Sequence, residues 1–301
     1  MPDIGVLICG HGSRDAAGTR EVANLAAKVA RRFPHWPLDH GFLEFAEPSL
    51  HEGLAKLQSQ GVTTIVAAPN MLFEARHAKT DIPAVLDAFA RDHARDGVSI
   101  IYGRALGFDP KMLRAAADRI EEAELAAGAH IGRSETLLMV AGRGTSDAES
   151  NADIAKLSSL LCDGMKFGGG GTCYSGVAEP MTETALREAA KLGYRRIVVM
   201  PYFLFTGALV ERVYAGVDAA AAHYPEIEFV QATYLNDHPL VIETLSERII
   251  EAIERPRAQQ SHRHDHDETC DEEWHNHAPA QGEANDEAFS LAPRRVAGGN
   301  P

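Results

Sequence analysis

Short apolar runs alternate with amphipathic stretches along most of the chain. The first run, GVLICG at residues 5–10, ends at a glycine and precedes AGTREVANLAAKVARRF, where apolar residues recur at helical spacing. Further apolar runs at residues 38–45, 62–69 and 98–106 are separated by stretches of the same helical kind. Apolar strands that alternate with helices are typical of a parallel sheet covered on both faces. The pattern therefore predicts an α/β domain at the start of the chain.

A second copy of this pattern follows the first, and TLLMVAGRG repeats the strand and turn of VLICGHG. Gly144 stands 132 residues after Gly12, and the same offset pairs the AEP segments at residues 46–48 and 178–180. A repeat of this length indicates duplication of a structural unit rather than of a short motif. We predict two tandem, homologous, doubly wound parallel-sheet domains, joined near residues 124–135.

Three segments follow from these patterns. The N-terminal α/β domain is predicted over residues 1–125, and its degenerate repeat over residues 133–255. Residues 256–301 are rich in His, Asp, Glu, Gly and Pro, so they cannot bury enough apolar surface to offset the entropy of ordering. We expect this tail to be disordered. Its clustered histidines are candidates for collecting metal ions: His262, His264, His266, His275 and His277.

The composition narrows the class of protein. The formal net charge of −14 disfavours nucleic acid as a partner, because phosphate binding requires a basic face. No apolar run reaches the length of a membrane helix, and the N-terminus lacks the basic lead of a signal peptide. The four cysteines contain no CxxC pair, which argues against a disulfide framework and against a thiolate zinc or iron–sulfur site. We expect a cytoplasmic protein without a membrane partner.

Two common motifs are missing from the strand-to-helix turns of the sequence. Neither first turn has the GxGxxG spacing of a dinucleotide site, and there is no GxSxG nucleophile turn. A nucleotide cofactor and a serine hydrolase are therefore not expected. The glycine run at residues 168–171 is predicted to be a flexible loop, with an anion cradle as the alternative.

Comparison of the two copies separates residues of the fold from residues of the chemistry. A side chain that folding requires tends to survive in both copies, whereas a catalytic side chain needs to survive in only one. The carboxyl ends of parallel strands border the same crevice, so polar residues at those ends are expected to converge. Three such residues of the first copy are lost from the second: His11 becomes Arg143, Glu44 becomes Gly176 and His77 becomes Leu209.

The three residues form a set of two imidazoles and one carboxylate. This set suits a borderline divalent metal ion such as Co2+, Fe2+, Ni2+ or Zn2+. Taken alone, a histidine at a strand end also fits a capping or packing role. Taken together, His11, Glu44 and His77 favour metal binding or proton transfer, and their loss from the second copy fits one functional unit.

The motifs around these residues resemble a known family. VLICGHGSRD, FLEFAEPSL and VAAPNMLFEARHAKTDIP are similar to segments of the CbiX/SirB group of sirohydrochlorin chelatases, which belongs to the class II chelatase family. VVMPYFLFTGALVERV resembles the C-terminal half of the long, two-domain members of that group. The resemblance covers residues 3–254 and implies a chelatase-like fold in both copies.

The resemblance implies that the protein inserts a divalent metal ion into sirohydrochlorin, a tetrapyrrole with eight carboxylates. Insertion of Co2+ leads toward cobalamin, and insertion of Fe2+ gives siroheme. The metal-site histidines of the family match His11 and His77, and its glutamate matches Glu44, so these are the expected metal ligands and catalytic residues. One histidine is also expected to accept pyrrole protons. No prosthetic group or redox cofactor is implied, because the metal ion is itself a substrate.

A substrate of this kind carries many negative charges, and the chain is also acidic. Local cations are needed to offset the repulsion, and Arg14, Arg76 and Lys79 flank the two histidines in sequence. Arg143, at the mirror position of His11, is expected to bind a substrate carboxylate by paired hydrogen bonds if the two crevices face each other. An exposed or ion-paired surface arginine is the alternative.

Three functions remain open at this point. The long form and the histidine-rich tail favour a cobaltochelatase, since the ligand set alone does not separate Co2+ from Fe2+. A siroheme ferrochelatase with the same site is the first alternative. The second is a metal-storage or metal-delivery protein that binds ions through its tail and cleft. The tail itself either collects Co2+ or Ni2+ or binds metals only in vitro. A monomer is expected, because one chain supplies both walls of the crevice.

Overall fold

The computed structural model describes residues 3–74, 77–128 and 130–255, apart from the side chain of His77. Strands and helices alternate through these residues. The strands are β1 (Ile4–Gly10), β2 (Leu38–Phe42), β3 (Thr64–Pro69), β4 (Ser99–Tyr102), β5 (Thr136–Gly142), β6 (Gly169–Tyr174), β7 (Arg196–Pro201) and β8 (Glu228–Gln231). The helices are α1 (Ala16–Ala30), α2 (Leu50–Ser59), α3 (Ile82–Asp92), α4 (Pro110–Ala127), α5 (Ala148–Met165), α6 (Thr182–Ala190), α7 (Ala208–His223) and α8 (Pro239–Glu254).

The strands form two parallel sheets of four strands each. The strand order is β2-β1-β3-β4 in the first sheet and β6-β5-β7-β8 in the second. In the first sheet β1 lies between β2 and β3, and in the second sheet β5 lies between β6 and β7. The connections after these two strands therefore lead to opposite sides of the strand, which makes it a topological switch point. A crevice opens at the carboxyl end of a strand placed at such a switch point. The predicted fold class, two tandem doubly wound parallel sheets, is confirmed.

The turns after β1 and β5 have the same construction in both halves. Asp15 and Asp147 cap α1 and α5 by accepting from the backbone N–H groups of Ala17 at 2.8 Å and Glu149 at 3.0 Å. Such a cap satisfies an N–H group that the first helical turn leaves without a partner. Gly12 precedes the first cap with φ of 100°, and a Cβ there would lie only 1.7 Å from the Glu44 carbonyl oxygen. The residues that the two copies share in these turns are therefore those that shape the turn.

Three of the four glycines at residues 168–171 lie in a strand and not in a flexible loop, so the sequence prediction was wrong for them. Gly169 begins strand β6, which pairs with β5. A Cβ on Gly169 would lie 2.4 Å from the Tyr194 hydroxyl oxygen, and one on Gly170 would lie 2.9 Å from Cβ of Cys162. Close packing by neighbouring side chains, rather than loop flexibility, accounts for glycine at these two positions.

The two halves share one apolar core. Buried side chains of the first half, such as Met112, belong to the same cluster as buried side chains of the second, such as Leu245. Helix α4 packs against α8, and α8 also contacts β3 and β4. Burial of apolar surface on this scale favours a fixed arrangement of the two sheets. The predicted domain limits at residues 125 and 133 remain a proposal, because the halves are packed as one unit.

A buried arginine joins the halves beneath the core. Arg248 in α8 is 1% exposed, and its guanidinium donates to the Leu106 carbonyl at 2.8 Å and to Oδ2 of Asp109 at 2.9 Å. Glu251 accepts from Arg248 at 2.9 Å and from the guanidinium of Arg104 at 2.8 and 3.0 Å. A guanidinium buried to this extent requires carboxylate and carbonyl partners, and both halves supply them.

No helix within residues 3–74, 77–128 or 130–255 combines the length and the apolar character that spanning a membrane demands. The predicted tail at residues 256–301, with its five candidate histidines, lies outside the described residues.

Candidate functional site

His11 is held at the carboxyl end of β1 by the turn that follows it. Its Nδ1 lies 3.3 Å from the Gly12 carbonyl oxygen, and its side chain is 25% exposed. The tautomer with the proton on Nδ1 donates to this carbonyl and leaves the lone pair on Nε2. That is the tautomer required of a histidine that binds a metal through Nε2.

Glu44 lies beyond the end of β2 rather than within it, because the strand ends at Phe42. Its backbone N–H donates to the His11 carbonyl at 3.0 Å, and the N–H of Leu43 donates to Gly10 at 3.0 Å. These two bonds continue the strand pairing and fix Glu44 beside His11. The Glu44 Oε1 atom lies 3.4 Å from Nε2 of His11, and the carboxylate is 40% exposed. Two of the three predicted ligands are thus together.

The backbone of His77 starts a single π-helical turn, His77–Asp81, in the segment that follows β3. The carbonyl of the next residue, Ala78, accepts from the Tyr102 hydroxyl at 2.9 Å, which anchors this turn to the sheet. The side chain of His77 lies outside the described part of the chain, so its place beside His11 and Glu44 stays a prediction. Among the described side chains, no three His, Cys, Asp or Glu residues form a metal cluster.

Phe45 is a site residue that the sequence reasoning missed. Its backbone has φ of 64° and its side chain is 53% exposed, both unusual for a large apolar residue. The ring lies 6.3 Å from the His11 ring, tilted by 28°, and the Arg14 guanidinium carbon lies 4.6 Å from its centroid. The signal in the sequence is an apolar residue inside the polar segment EFAEP, with Val177 at the same place in the second copy.

Asn70 was also missed, and it follows β3 directly. Its N–H donates to the Cys9 carbonyl at 2.9 Å, two residues before His11. The side chain is 5% exposed, and within the described residues neither its amide nitrogen nor its amide oxygen has a protein partner. A buried amide of this kind costs free energy unless it is hydrogen-bonded, so its position at the crevice marks it as polar lining of the site.

The predicted substrate-binding cations have different surroundings. Arg14 and Arg143 are exposed, and Arg14 covers the ring of Phe45. Lys79 is exposed, and its Nζ lies 3.9 Å from Oε2 of Glu149 in the second half. Arg76 lies outside the described residues. Arg14 and Arg143 therefore have guanidinium groups accessible to an anionic ligand.

The loops that follow β1 and β3 in the first half contact the loop that follows β7 in the second half. The ring of Phe73, after β3, lies 6.0 Å from that of Tyr202, after β7. A Cβ placed on Gly207 would lie 3.9 Å from Oγ of Ser13, two residues from His11. The role of Arg143 as a substrate contact stays a prediction.

Glu21 in α1 fixes the loop after β7 against the first half. Its carboxylate accepts from the N–H of Thr206 at 2.8 Å, from the Tyr234 hydroxyl at 2.6 Å and from the Asn236 amide at 3.3 Å. Burial, followed by the hydrogen bond to Glu21, raises the pKa of Tyr234 to about 12. The tyrosine therefore remains a neutral donor to Glu21 at physiological pH.

A comparison with known families decides which one the chain belongs to. The family model described as CbiX matches the chain twice, over residues 5–123 and over residues 137–252. This chain belongs to the CbiX family. The double match of the CbiX model coincides with the two sheets and with the repeat seen in the sequence.

Other members of known function and structure are similar to this CbiX chain over most of its length. A protein from Priestia megaterium named sirohydrochlorin cobaltochelatase is 31% identical over 253 residues, covering 83% of this chain and 80% of the relative. A sirohydrochlorin ferrochelatase from the same organism is 27% identical, covering 81% and 88%. A solved structure titled SirB from Bacillus subtilis with Fe3+ is 26% identical, with a TM-score of 0.73, and covers 86% of this chain and 99% of that one.

The three cysteines in the described part of this CbiX chain are buried thiols. Cys9, Cys162 and Cys173 are buried and form no disulfide within the described residues, and Cys270 lies outside them. Burial raises the pKa of the Cys9 thiol far above its usual range, and it raises that of Cys173 to about 12. Thiols of this kind stay protonated and are poor metal ligands.

Proposed function

We propose that this chain is a sirohydrochlorin cobaltochelatase, a lyase that inserts Co2+ into sirohydrochlorin in cobalamin biosynthesis. The observation that carries this proposal is the pair of His11 and Glu44, 3.4 Å apart at the carboxyl edge of the first sheet. The chain belongs to the CbiX family, and its relative from Priestia megaterium is named for this reaction. The second copy has Arg143 and Gly176 at the corresponding positions, so it lacks both the imidazole and the carboxylate.

In the proposed reaction, two pyrrole N–H protons leave the tetrapyrrole as its nitrogens bind one divalent ion. His11, Glu44 and His77 hold the ion, with water completing its coordination. A site with few protein ligands releases the ion to the ring more readily than a closed structural site does. The charge of Glu44 favours a dication over a monovalent ion. Its carboxylate also relays a pyrrole proton away from the tetrapyrrole. One of the two imidazoles accepts a pyrrole proton, since a neutral histidine acts as a base near pH 7.

The substrate is proposed to lie in a groove between the carboxyl edges of the two sheets, next to His11 and Glu44. Arg14, Arg76, Lys79 and Arg143 offset the charge of its carboxylates, which the net charge of −14 would otherwise repel. The exposed ring of Phe45 presents an apolar face to the macrocycle beside His11. No prosthetic group takes part in this scheme, in which the metal ion is a substrate.

A sirohydrochlorin ferrochelatase that forms siroheme is the second candidate. It is favoured by the 27% identical relative that carries this name and covers a similar share of the chain. A set of histidine and carboxylate ligands accepts either ion, and the supply of metal in the cell contributes to the choice. The histidine-rich tail favours Co2+.

The assembly and the location of the protein are also proposals. The loop that follows β7 packs against α1 and the turn after β1 within one chain, which supports a monomer as the working unit. We propose residues 1–125 and 133–255 as the two domains, and the cytoplasmic location stays a prediction.

Metal insertion into sirohydrochlorin tests the proposed function directly. The absorbance change of the tetrapyrrole is followed with Co2+ and with Fe2+ in parallel, with and without protein. Insertion faster than the spontaneous rate supports a chelatase, and the faster metal separates the two candidates. Rates equal to the spontaneous ones with both metals contradict both candidates and favour metal storage or delivery.

A further inference from the structure

The second copy holds two arginines where the first copy holds its metal ligands. Arg143 stands at the mirror position of His11, at the end of β5. The fully buried Ser175 joins it to a second arginine that the sequence analysis did not single out. The Ser175 hydroxyl donates to the Arg143 carbonyl at 3.4 Å, and Nη1 of Arg212 donates to the Ser175 carbonyl at 2.7 Å. Ser175 thus links the backbone of Arg143 to the guanidinium of Arg212 at the carboxyl edge of the second sheet.

The guanidinium of Arg212 lies beside the place that a glutamate occupies in the first copy. A Cβ on Gly176, the mirror of Glu44, would lie 3.5 Å from Nη1 of Arg212 and 3.9 Å from Cδ2 of Leu209. Leu209 is itself the mirror of His77. The loss of the metal set therefore did not leave a neutral surface, since the guanidinium of Arg212 now lies beside Gly176.

Both guanidinium groups are exposed, and neither forms an ion pair with an acidic side chain of the described residues. The two buried arginines of the second half differ in this respect, since Arg196 pairs with Glu228 and Arg248 pairs with Asp109. One N–H group of Arg212 is used on Ser175, which orients the planar group and leaves four donors for a ligand. In a chain with a net charge of −14, two unneutralised arginines at one sheet edge indicate an anion site.

The start of α7 lies close to the turn that carries His11. Arg212 and Leu209 lie in α7, which begins at Ala208 directly after Gly207. A Cβ on Gly207 would lie 3.9 Å from Oγ of Ser13 in the turn that carries His11. A ligand broad enough to contact both turns would place one side near His11 and the other near the arginines.

We propose that Arg143 and Arg212 form a carboxylate-binding subsite that holds the periphery of the tetrapyrrole while its nitrogens face His11 and Glu44. The proposal rests on the proposed function and adds Arg212 as a residue that determines substrate specificity. Guanidinium groups keep their protons and do not bind metal ions, so the second site selects anions only. Their fork of donors matches a carboxylate in a bidentate manner. Tetrapyrroles without free carboxylates are then poor substrates.

Steady-state insertion of Co2+ separates this role from a structural one. Arg143→Ala and Arg212→Ala are each expected to raise the KM for sirohydrochlorin about tenfold, because each removes charge-assisted hydrogen bonds. The KM for Co2+ and the kcat at saturating tetrapyrrole are expected to stay near wild type. Arg187→Ala is the matched control, since it removes the same charge from the exposed face of α6 in the same half.

A second pair of variants tests the charge of Arg212 without removing its side chain. Gly176→Glu places a carboxylate beside the guanidinium and is expected to raise the KM for sirohydrochlorin as Arg212→Ala does. Gly176→Ala adds only a Cβ, which fits at ordinary contact distances of 3.5 and 3.9 Å, so it serves as the control. Thermal unfolding of each variant shows whether the fold is intact.

A KM for sirohydrochlorin that is unchanged in the Arg143→Ala/Arg212→Ala double variant, or raised equally by Arg187→Ala, overturns the subsite. Equal effects of Gly176→Glu and Gly176→Ala overturn it as well. If the wild type inserts no metal, the proposed function fails instead. Equilibrium binding of metal-free sirohydrochlorin, followed by its fluorescence, then tests the subsite alone: about tenfold weaker binding by the double variant than by the wild type or Arg187→Ala supports it. Equal binding by all three overturns it.

Discussion

The Nε2 atom of His11 lies 3.4 Å from Oε1 of Glu44, although the two residues follow different strands. The parallel register explains this proximity. Gly10 pairs with Phe42, and the backbone bond from Glu44 N–H to the His11 carbonyl continues the pairing by one more step. The segments that directly follow two paired strands thus present an imidazole and a carboxylate side by side.

Replacement of His11 by alanine is expected to lower the rate of Co2+ insertion by about 10²–10⁴-fold, because a metal ligand and a candidate base are removed together. The insertion rate at saturating sirohydrochlorin measures the loss. His223→Ala, which removes an exposed histidine at the end of α7, is the control and should keep the wild-type rate. Wild-type activity of the His11 variant would place the chemistry elsewhere.

Glu44→Gln keeps the shape of the side chain and removes its charge. We expect about tenfold or more weaker use of Co2+, seen as a raised KM for the metal, because a nearby carboxylate favours a dication. The KM for sirohydrochlorin should change little. Glu183→Gln on the exposed face of α6 is the matched control. An effect confined to the tetrapyrrole KM would argue that Glu44 contacts the ring instead of the metal.

Val177→Gly is expected to stabilise the protein by about 1 kcal/mol. A β-branched residue with positive φ is strained by about 1–3 kcal/mol, and the entropy cost of glycine offsets part of the relief. Val177 has φ of 65° and is 81% exposed, so little packing is lost. Urea unfolding measures the change. Val177→Ala keeps a Cβ and should gain less, and a glycine variant less stable than wild type would show that the valine is not strained.

Arg248→Met is expected to destabilise the fold by about 3–5 kcal/mol at pH 7, since it leaves buried carboxylate and carbonyl groups without their partner. Urea unfolding of this variant and of Arg91→Met, an exposed arginine in α3, provides the comparison. A loss no larger than that of Arg91→Met would show that the buried network contributes little to stability.

The same network predicts how stability depends on pH. Burial raises the pKa of Asp109, but hydrogen bonds from the Lys111 N–H and from Arg248 outweigh it, so the net pKa is lowered. The hydrogen bond from Arg104 lowers the pKa of Glu251. Carboxyls with lowered folded pKa values stabilise the protein above their unfolded pKa, about 4, and this contribution is lost as the pH falls further. Wild type should therefore lose more stability between pH 5 and pH 3 than Arg248→Met does, and equal losses would contradict this assignment.

Removal of the tail after Arg255 is expected to leave the rate of insertion at saturating Co2+ unchanged, because His11 and Glu44 lie within the remaining residues. Metal content after equilibrium dialysis should fall if the tail histidines bind ions. A tail that only binds metals in vitro would make no difference to insertion at limiting Co2+, whereas a tail that collects ions would lower that rate when deleted. A truncated protein without activity at saturating metal would place part of the site in the tail.

The sequence determined the two parallel sheets, because periodicity and glycine-ended apolar runs depend on near neighbours along the chain. The 132-residue repeat also separated His11 and Glu44 from the residues that shape the turns, for example Asp15 and Asp147. The end of a strand can be recognised from the neighbouring residues in sequence, and the carboxyl ends of parallel strands lie at the same edge of the sheet. The position of His11 and Glu44 at one crevice therefore followed from the order of elements alone, while the side chain of His77 remains a prediction.

Only the tertiary structure decided the contacts that depend on packing between distant segments. The glycines of β6 are required by Tyr194 and Cys162, and Arg248 is buried because Asp109 approaches it from the other half. Arg212 is oriented by the backbone carbonyl of Ser175, a partner that no side-chain pattern reveals. These pairings depend on interatomic distances of a few ångströms across the fold, and a one-dimensional pattern contains the period of each element but not the distance between two of them.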